Sequence, residues 1–239
     1  MLTRAVLLAA LSAARALRAG RGCAAFPRAQ TSLRAQKSAT LGLGCFWAPS
    51  EALLNVAGVE DTACGYAGAA FPGAQPTYRS VCGGDGNVET VRVVYDDDVL
   101  TFEQVLDAAF NCAAPAPARQ YAPIIFAEDE VQSAAAERWR ANLRKRPDGL
   151  GQDDFQVELL VEFWRAEGYH QTYWQKWRPR YAVLAGLILA QWSNVMPTQF
   201  DNACTGLAVG IAGLTVWERI FDESVVKVEK GKCAVPSER

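Results

Sequence analysis

Val88-Glu89-Thr90-Val91-Arg92-Val93-Val94-Tyr95 is the stretch that most limits what this chain can fold into. β-branched residues dominate it, and the turn-forming run Cys82-Gly83-Gly84-Asp85-Gly86-Asn87 leads into it. Side chains alternate along a strand, so Glu89, Val91, Val93 and Tyr95 share one face and Val88, Thr90, Arg92 and Val94 the other. Around it, helical and extended segments alternate with short links. Pro49 opens a helix that continues through Ala52 to Val59 and is stopped by Gly58. Thr62 to Tyr66 reads as a strand, and Gly68 to Pro76 as a loop. Thr101 N-caps an amphipathic helix from Phe102 to Asn111. Pro115 and Pro117 make Ala113 to Ala118 an extended link before a strand-like Gln120 to Phe126. A polar-faced helix covers Glu128 to Arg146, ended by Pro147-Asp148-Gly149, and Phe155 to Phe163 alternates as a further strand. The pattern implies an α/β fold of two layers, an open sheet covered by helices.

Two side chains stand out chemically. Cys45, in Gly44-Cys45-Phe46-Trp47, falls between the extended run Ser38 to Leu43 and the helix that Pro49 begins. Backbone N–H groups at a helix start favour a thiolate and are expected to lower its pKa. Phe46 and Trp47 put two aromatic rings beside the sulfur. A buried structural Cys among core aromatics is the blander alternative. Glu89 begins the more apolar face of its strand, where desolvation raises a carboxyl pKa; a strand-end Glu turned to solvent is the other reading.

Charge and cysteine usage narrow the function. The 239 residues carry 24 Lys plus Arg and 26 Asp plus Glu. Seven of the basic residues lie in Met1–Lys37, which has no acidic residue. Without that segment the chain has 17 basic against 26 acidic residues, a formal charge of −9 that argues against nucleic acid as a partner. Residues 1–37 combine Arg, small residues and an apolar run from Ala5 to Ala13 too short to span a bilayer. They read as a targeting presequence. Ala24-Ala25-Phe26-Pro27 after that run favours a plastid over a mitochondrion, with a basic tail as the plain alternative. A single His excludes a His-rich metal site, and no paired Cys-x-x-Cys motif suggests zinc. Seven scattered Cys suit a reducing compartment with a few reactive thiols.

Gly44-Cys45-Phe46-Trp47, Gly65-Tyr66-Ala67-Gly68, Pro76-Thr77-Tyr78, the strand bearing Glu89, Gln120-Tyr121 and Gly168-Tyr169-His170-Gln171 follow one another in that order. The series resembles the peptide methionine sulfoxide reductases of the A type over roughly Thr40 to Trp174. The resemblance implies a ferredoxin-like α+β plait over residues 38–178 and thiol-dependent reduction of methionine S-sulfoxide, free or in proteins. It implies Cys45 as nucleophile, Glu89 as acid, Tyr78 and Tyr121 as hydroxyl donors to the sulfoxide oxygen, and Phe46 and Trp47 as the wall for the substrate methyl. No metal or organic cofactor is implied. A thioredoxin-like protein is the implied reductant, acting on a monomer. Three departures from the family pattern stand in the sequence. Ala113 to Arg119 replaces a longer segment with a Gly-Asn-Asp run, Asn87 stands for a His, and Ala69 for a Gly. They keep open a second reading, a catalytically weak sulfoxide-binding or redox-sensing module.

A second thiol must reach Cys45 after turnover and belongs on a mobile segment. Cys64 and Cys82 adjoin core strands, and Cys112 ends a helix. Cys233, in Lys230-Gly231-Lys232-Cys233, has lysines, a Gly hinge and few apolar neighbours, and some family members carry their resolving Cys in such a tail. Cys233 is therefore expected to be the resolving thiol, with Cys204 second. Residues 179–239 hold two apolar runs, Tyr181–Trp192 and Thr205–Trp217, each short of the roughly twenty residues of a spanning helix. They read as two helices packed on the domain, with no membrane partner expected and a membrane hairpin as the alternative, before a mobile tail from Lys227.

Overall fold

The structure is a computed structural model that describes residues 36–68, 73–143, 155–192, 201–221 and 225–228. Seven strands form one mixed sheet: β1 Gln36–Gly42, β2 Val59–Ala67, β3 Val88–Asp96, β4 Ile124–Ala127, β5 Gln156–Leu159, β6 Phe163–Arg165 and β7 Val226–Val228. Their order is β5-β4-β1-β3-β2-β6-β7. Only β4 and β5 pair in parallel; the other pairs are antiparallel. β3 lies at the centre, and all nine of its residues are buried. That is why a run of β-branched residues with apolar side chains on both faces was required there.

One face of β3 joins the main core. Val91, Val93 and Tyr95 pack with Leu41, Phe46, Leu53, Tyr66, Leu106 and Trp139. The helices that supply this layer are α1 Trp47–Leu54, α3 Phe102–Cys112 and α4 Glu130–Leu143, α2 being the single turn Tyr78–Cys82. The predicted cap of α3 is present as a reciprocal capping box, in which Thr101 Oγ1 accepts from the Gln104 N–H and Gln104 returns the bond to Thr101 N–H. Such a cap contributes about 1 kcal/mol. The opposite face of β3 holds a smaller cluster with Val88, Ile124, Phe126, Leu160 and Phe163. Arg92 is buried on that face. Its guanidinium donates to Ser38 Oγ at 3.0 Å and to Glu128 Oε1 at 2.9 Å, and lies 5.4 Å from the centre of the Phe163 ring.

Several boundaries differ from the sequence expectations. α1 begins at Trp47, which puts Pro49 in its first turn, where a missing N–H costs nothing. It ends at Leu54 rather than Val59, because the Asn55 side chain turns back to the Glu51 carbonyl at 2.8 Å. Gly58, at φ +93°, then turns the chain into β2. Gln120 to Phe126 splits into a 3-10 turn, Arg119–Tyr121, and β4. Phe155 to Phe163 splits into β5 and β6 at opposite sides of the sheet, with Leu160 buried between them. The end of the helix at Pro147-Asp148-Gly149 lies outside the described residues, as do Cys233 and residues 1–35; Gln36 and Lys37, expected to close the targeting segment, instead begin β1 through pairing with Asp96 and Tyr95.

The C-terminal region departs most. α5 Tyr173–Trp192 and α6 Asp201–Phe221 run 20 and 21 residues. They were expected to lie packed on the domain, yet α5 contains no buried residue, and among the described residues the pair is tied to the domain at its base. Arg178 bonds Glu51 in α1, while Arg180 bonds Glu218 across the two helices. The tail expected to be mobile from Lys227 includes a strand, because β7 pairs with β6 and Lys227 pairs with Glu162 and lies over the Trp164 ring.

Candidate active site

Gly44 sits between β1 and α1 at φ +86°, bridged to Ala114. A Cβ there would fall 2.0 Å from the Ala114 carbonyl oxygen, so only glycine lets the two segments touch. The following residue, Cys45, is exposed at the sheet end just before α1 begins. The Trp47 N–H donates to its sulfur, as the helix-start argument requires. The net effect is nevertheless opposite to expectation. Desolvation raises the Cys45 pKa above the ordinary thiol value, and the nearby Glu89 carboxylate adds to the rise. One N–H does not outweigh both.

Glu89, 1% exposed, lies directly behind this turn. Its Oε2 accepts the Phe46 N–H at 3.2 Å, and its Oε1 accepts from Gln120 Nε2 at 2.6 Å. Burial raises its pKa against the lowering effect of those two bonds. The expected face of β3 was therefore right, and the reason is desolvation in the core layer. Tyr78 and Tyr121 both lie within electrostatic reach of Glu89, and both hydroxyls are held above the usual phenol range by desolvation first. The charge of Cys45 is felt at Tyr121. The structure thus brings Cys45, Glu89, Tyr78 and Tyr121 together from four separate segments.

Phe46 and Trp47 take different positions. Phe46 is buried, its ring centre 5.0 Å from His170 and 6.0 Å from Tyr66, so it lies beneath the site rather than walling it. Trp47 is half-buried and stacks on Tyr173 at 3.9 Å with the rings 4° from parallel. Its Nε1–H donates to His170 Nδ1 at 3.0 Å. That bond puts the imidazole proton on Nε2. Burial, with Arg219 and Lys176 nearby, lowers the His170 pKa to about 3, so the ring is neutral.

The segment Glu167–Gln171 braces all of this, and reasoning from sequence assigned it no role. Glu167 accepts from the Tyr66 hydroxyl at 2.7 Å and from the Tyr78 N–H at 2.8 Å. Gln171 acts as a substitute strand partner: its Oε1 accepts the Cys64 N–H at 3.0 Å, and its Nε2 donates to the Cys64 and Ala166 carbonyls at 2.9 Å. The signal available was Glu167-Gly168-Tyr169-His170-Gln171 itself, polar residues in a run that ends at a buried strand. Cys82 was set aside as held in place, yet it is exposed. It takes hydrogen bonds from the Tyr78 hydroxyl and from Gln120 Nε2 at 3.5 Å. Its position four residues after Tyr78 was the clue. Cys64 is buried, its pKa raised to about 12 by desolvation, and Cys204 is buried near the start of α6. Among the described residues no cluster of His, Cys, Asp and Glu suits a metal.

The peptide methionine sulfoxide reductase family model matches residues 37–194, past the Trp174 where the motifs stop. The peptide methionine sulfoxide reductase MsrA of Natronomonas pharaonis is 39% identical over 150 residues, covering 58% of this chain and 82% of the relative. That of Methanosarcina acetivorans is 37% identical over 151 residues, covering 59% and 78%. Among solved structures, methionine sulfoxide reductase A of Corynebacterium diphtheriae superposes with a TM-score of 0.52 at 26% identity, covering 61% of this chain and 78% of that one. Mxr1 from Saccharomyces cerevisiae in reduced form gives 0.50 at 27% identity, covering 59% and 85%. With a thiol, a buried carboxyl and two phenols converging at the sheet end, and with two-thirds of its length matched, the chain belongs to the peptide methionine sulfoxide reductase family.

Proposed function

We propose that this chain, a thiol-dependent oxidoreductase acting on methionine sulfoxide, reduces the S epimer at Cys45 with Glu89 as proton donor. The observation that carries the reading is the buried Glu89 carboxyl, raised in pKa, held behind an exposed thiol by the Phe46 N–H and Gln120. The sulfoxide sulfur is a poor electrophile until its oxygen is protonated or strongly hydrogen-bonded. The Cys45 thiolate attacks sulfur while Glu89 gives its proton to the oxygen. The Tyr78 and Tyr121 hydroxyls donate to that oxygen as charge develops on it. The hydroxyl then passes from the substrate sulfur to the Cys45 sulfur as the S–O bond and the new bond between the two sulfurs both break, so methionine leaves and Cys45 becomes a sulfenic acid. A second thiol condenses with it, releasing water and forming a disulfide, which a dithiol protein of the thioredoxin kind reduces. Trp47, fixed by Tyr173 and His170, lines the place for the substrate methyl, with Phe46 beneath it.

Cys233 is the favoured second thiol, and the β7 pairing supports it. Val228 lines up with Phe163, Ala67 and Val88 across the sheet, at the end where Cys45 lies. Strands are about 4.8 Å apart, so β7 lies roughly 19 Å from β1, which Cys45 follows, and a disulfide itself spans about 5.5 Å between Cα atoms. Cys233 follows Val228 by five residues, a tether of up to about 17 Å. Cys204 is placed less well. It lies fourteen residues along α6 from Glu218 at the hairpin base, about 21 Å of helix.

The order β4-β1-β3-β2, with α1 linking β1 to β2 and α3 linking β3 to β4, supports reading the core as a ferredoxin-like plait. Residues 1–37 are read as a targeting segment for a plastid. A weak or sensing version of the pocket is favoured by one observation, the raised Cys45 pKa. Turnover of free and peptide-bound methionine S-sulfoxide with dithiothreitol decides between the readings. Methionine release by wild type and none by Cys45→Ser supports the enzyme. Release by Cys45→Ser at even a tenth of the wild-type rate would remove Cys45 from the chemistry.

A further inference from the structure

The α5–α6 hairpin has no role in the chemistry above, and its surface is unlike that of the rest of the chain. From Tyr181 to Trp217 there is a single charged residue, Asp201, whereas 21% of the whole chain is charged. The partly covered positions of the two helices form a narrow seam, Leu184, Leu187 and Ala190 on α5 against Cys204, Ala208, Ile211 and Thr215 on α6. The other faces are exposed and mostly apolar, with Val183, Ile188, Leu189 and Trp192 on α5 and Leu207, Val209, Leu214 and Val216 on α6, and with Gln191, Asn202 and Thr205 as exposed polar residues. Among the described residues, Asn202–Phe221 is long and apolar enough by length and composition to cross a membrane, with hardly any of it buried. The part of it beyond the charged base, Asn202 to Trp217, rises about 23 Å, enough to enter most of the roughly 30 Å hydrocarbon layer from one side.

We propose that this hairpin inserts into the apolar layer of a lipid bilayer and holds the reductase domain at its surface. Two features favour lipid over a protein partner. The exposed apolar residues surround the hairpin, whereas a second copy or a single partner would cover one side and leave the others wet. Charge and aromatic residues are also segregated along its length. The charged side chains Lys176, Arg178, Arg180, Glu218 and Arg219 all lie at the base, where the first four are bonded to the domain or to each other. Trp177, Tyr181, Trp217 and Phe221 lie at that same level, with Trp177 on Tyr181 at 5.1 Å and Trp217 on Phe221 at 5.5 Å. Aromatic rings at one level, and a limb beyond it whose single charge, Asp201, lies at the far end where α6 begins, match the water–lipid boundary and its interior. The expectation of no membrane partner rested on two runs too short to span a bilayer; a hairpin that enters from one side does not need to span it. The Trp47–Tyr173 stack then places Cys45 close to that boundary, Tyr173 being eight residues, or about 12 Å, from Tyr181 along α5.

The test uses the full chain with vesicles of neutral phosphatidylcholine, which give a basic N-terminal segment nothing to bind. The protein is expected to float with the vesicles at high salt and after a carbonate wash. Ile188 and Val209 are 62% and 65% exposed and lie outside the seam, so charging them leaves the hairpin able to form. The double variant I188K/V209K should lose flotation by at least about tenfold, because lysine is strongly disfavoured in hydrocarbon. Its turnover with dithiothreitol should stay at the wild-type level, which shows that it has folded. Three results would each overturn the proposal: wild type remaining at the bottom, flotation that carbonate or salt removes, or a double variant that floats like wild type. A discrete dimer that does not float would assign the surface to a second copy instead.

Discussion

Glu89 and Cys45 have pKa values displaced in the same direction for the same reason, desolvation at the end of β3. The pH dependence of turnover follows from their order. Cys45 lies above the ordinary thiol value and Glu89 remains the stronger acid, so the reactive pair, thiolate with protonated carboxyl, is a minor form carrying one proton. Its population rises with pH as the doubly protonated form loses a proton through the Glu89 pKa. It falls as the last proton leaves through the Cys45 pKa. A bell is expected, with Glu89 on its acid side. His170, at about 3, adds no limb in the working range. Glu89→Gln should lower the plateau by roughly a hundredfold or more, the usual cost of losing a general acid. It should also remove the high-pH decline, so that the remaining rate climbs with thiolate formation. Stopped-flow or steady-state rates from pH 5 to 10 check this; a variant that keeps the wild-type bell would assign the proton to another group.

At the level of elements, β3 carries a carboxyl on one face and a buried guanidinium on the other. Arg92 is 1% exposed, and Glu128, just before α4, is its charge partner. Removing one member of such a pair leaves the other buried without compensation. Glu128→Ala should therefore cost about 3–5 kcal/mol, seen as a lower urea midpoint with an unchanged slope. A loss below about 1 kcal/mol would mean that water reaches the guanidinium. Glu128 lies on the face of β3 opposite Glu89, so the folded variant should keep its rate per active site.

For the whole molecule, the predictions concern parts that lie far apart in sequence. Cys233→Ser should permit one methionine per enzyme and then stop with thioredoxin, while a small thiol reductant still drives turnover. Peptide mapping of oxidised wild type should find Cys45 joined to Cys233. A link to Cys204, or to the exposed Cys82 beside Tyr78, would place resolution there instead. The native protein, isolated from its organelle, should begin after the Phe26 region; mass spectrometry that finds Met1 would end the targeting reading.

Local chemistry alone was enough for the central strand, the Thr101 cap, the glycine turn before Cys45 and the face on which Glu89 lies. Each depends on neighbours within a few residues, through alternation, capping or a positive φ. The ordered motifs from Gly44 to Gln171 carried the family for the same reason, being short segments with fixed chemistry. What the tertiary structure decided was the balance of opposing effects. A helix start lowers a thiol pKa, but the protein atoms that desolvate the Cys45 sulfur and the closeness of Glu89, 44 residues away, reverse the sign. Phe46 reads as a wall until Tyr66 and His170 bury it. Phe155 to Phe163 reads as one strand until the sheet offers it two separate edges. The apolar runs of α5 and α6 read as helices packed on the domain until the structure leaves α5 with no buried residue and α6 with hardly any, because burial is a property of what surrounds a segment and not of the segment itself.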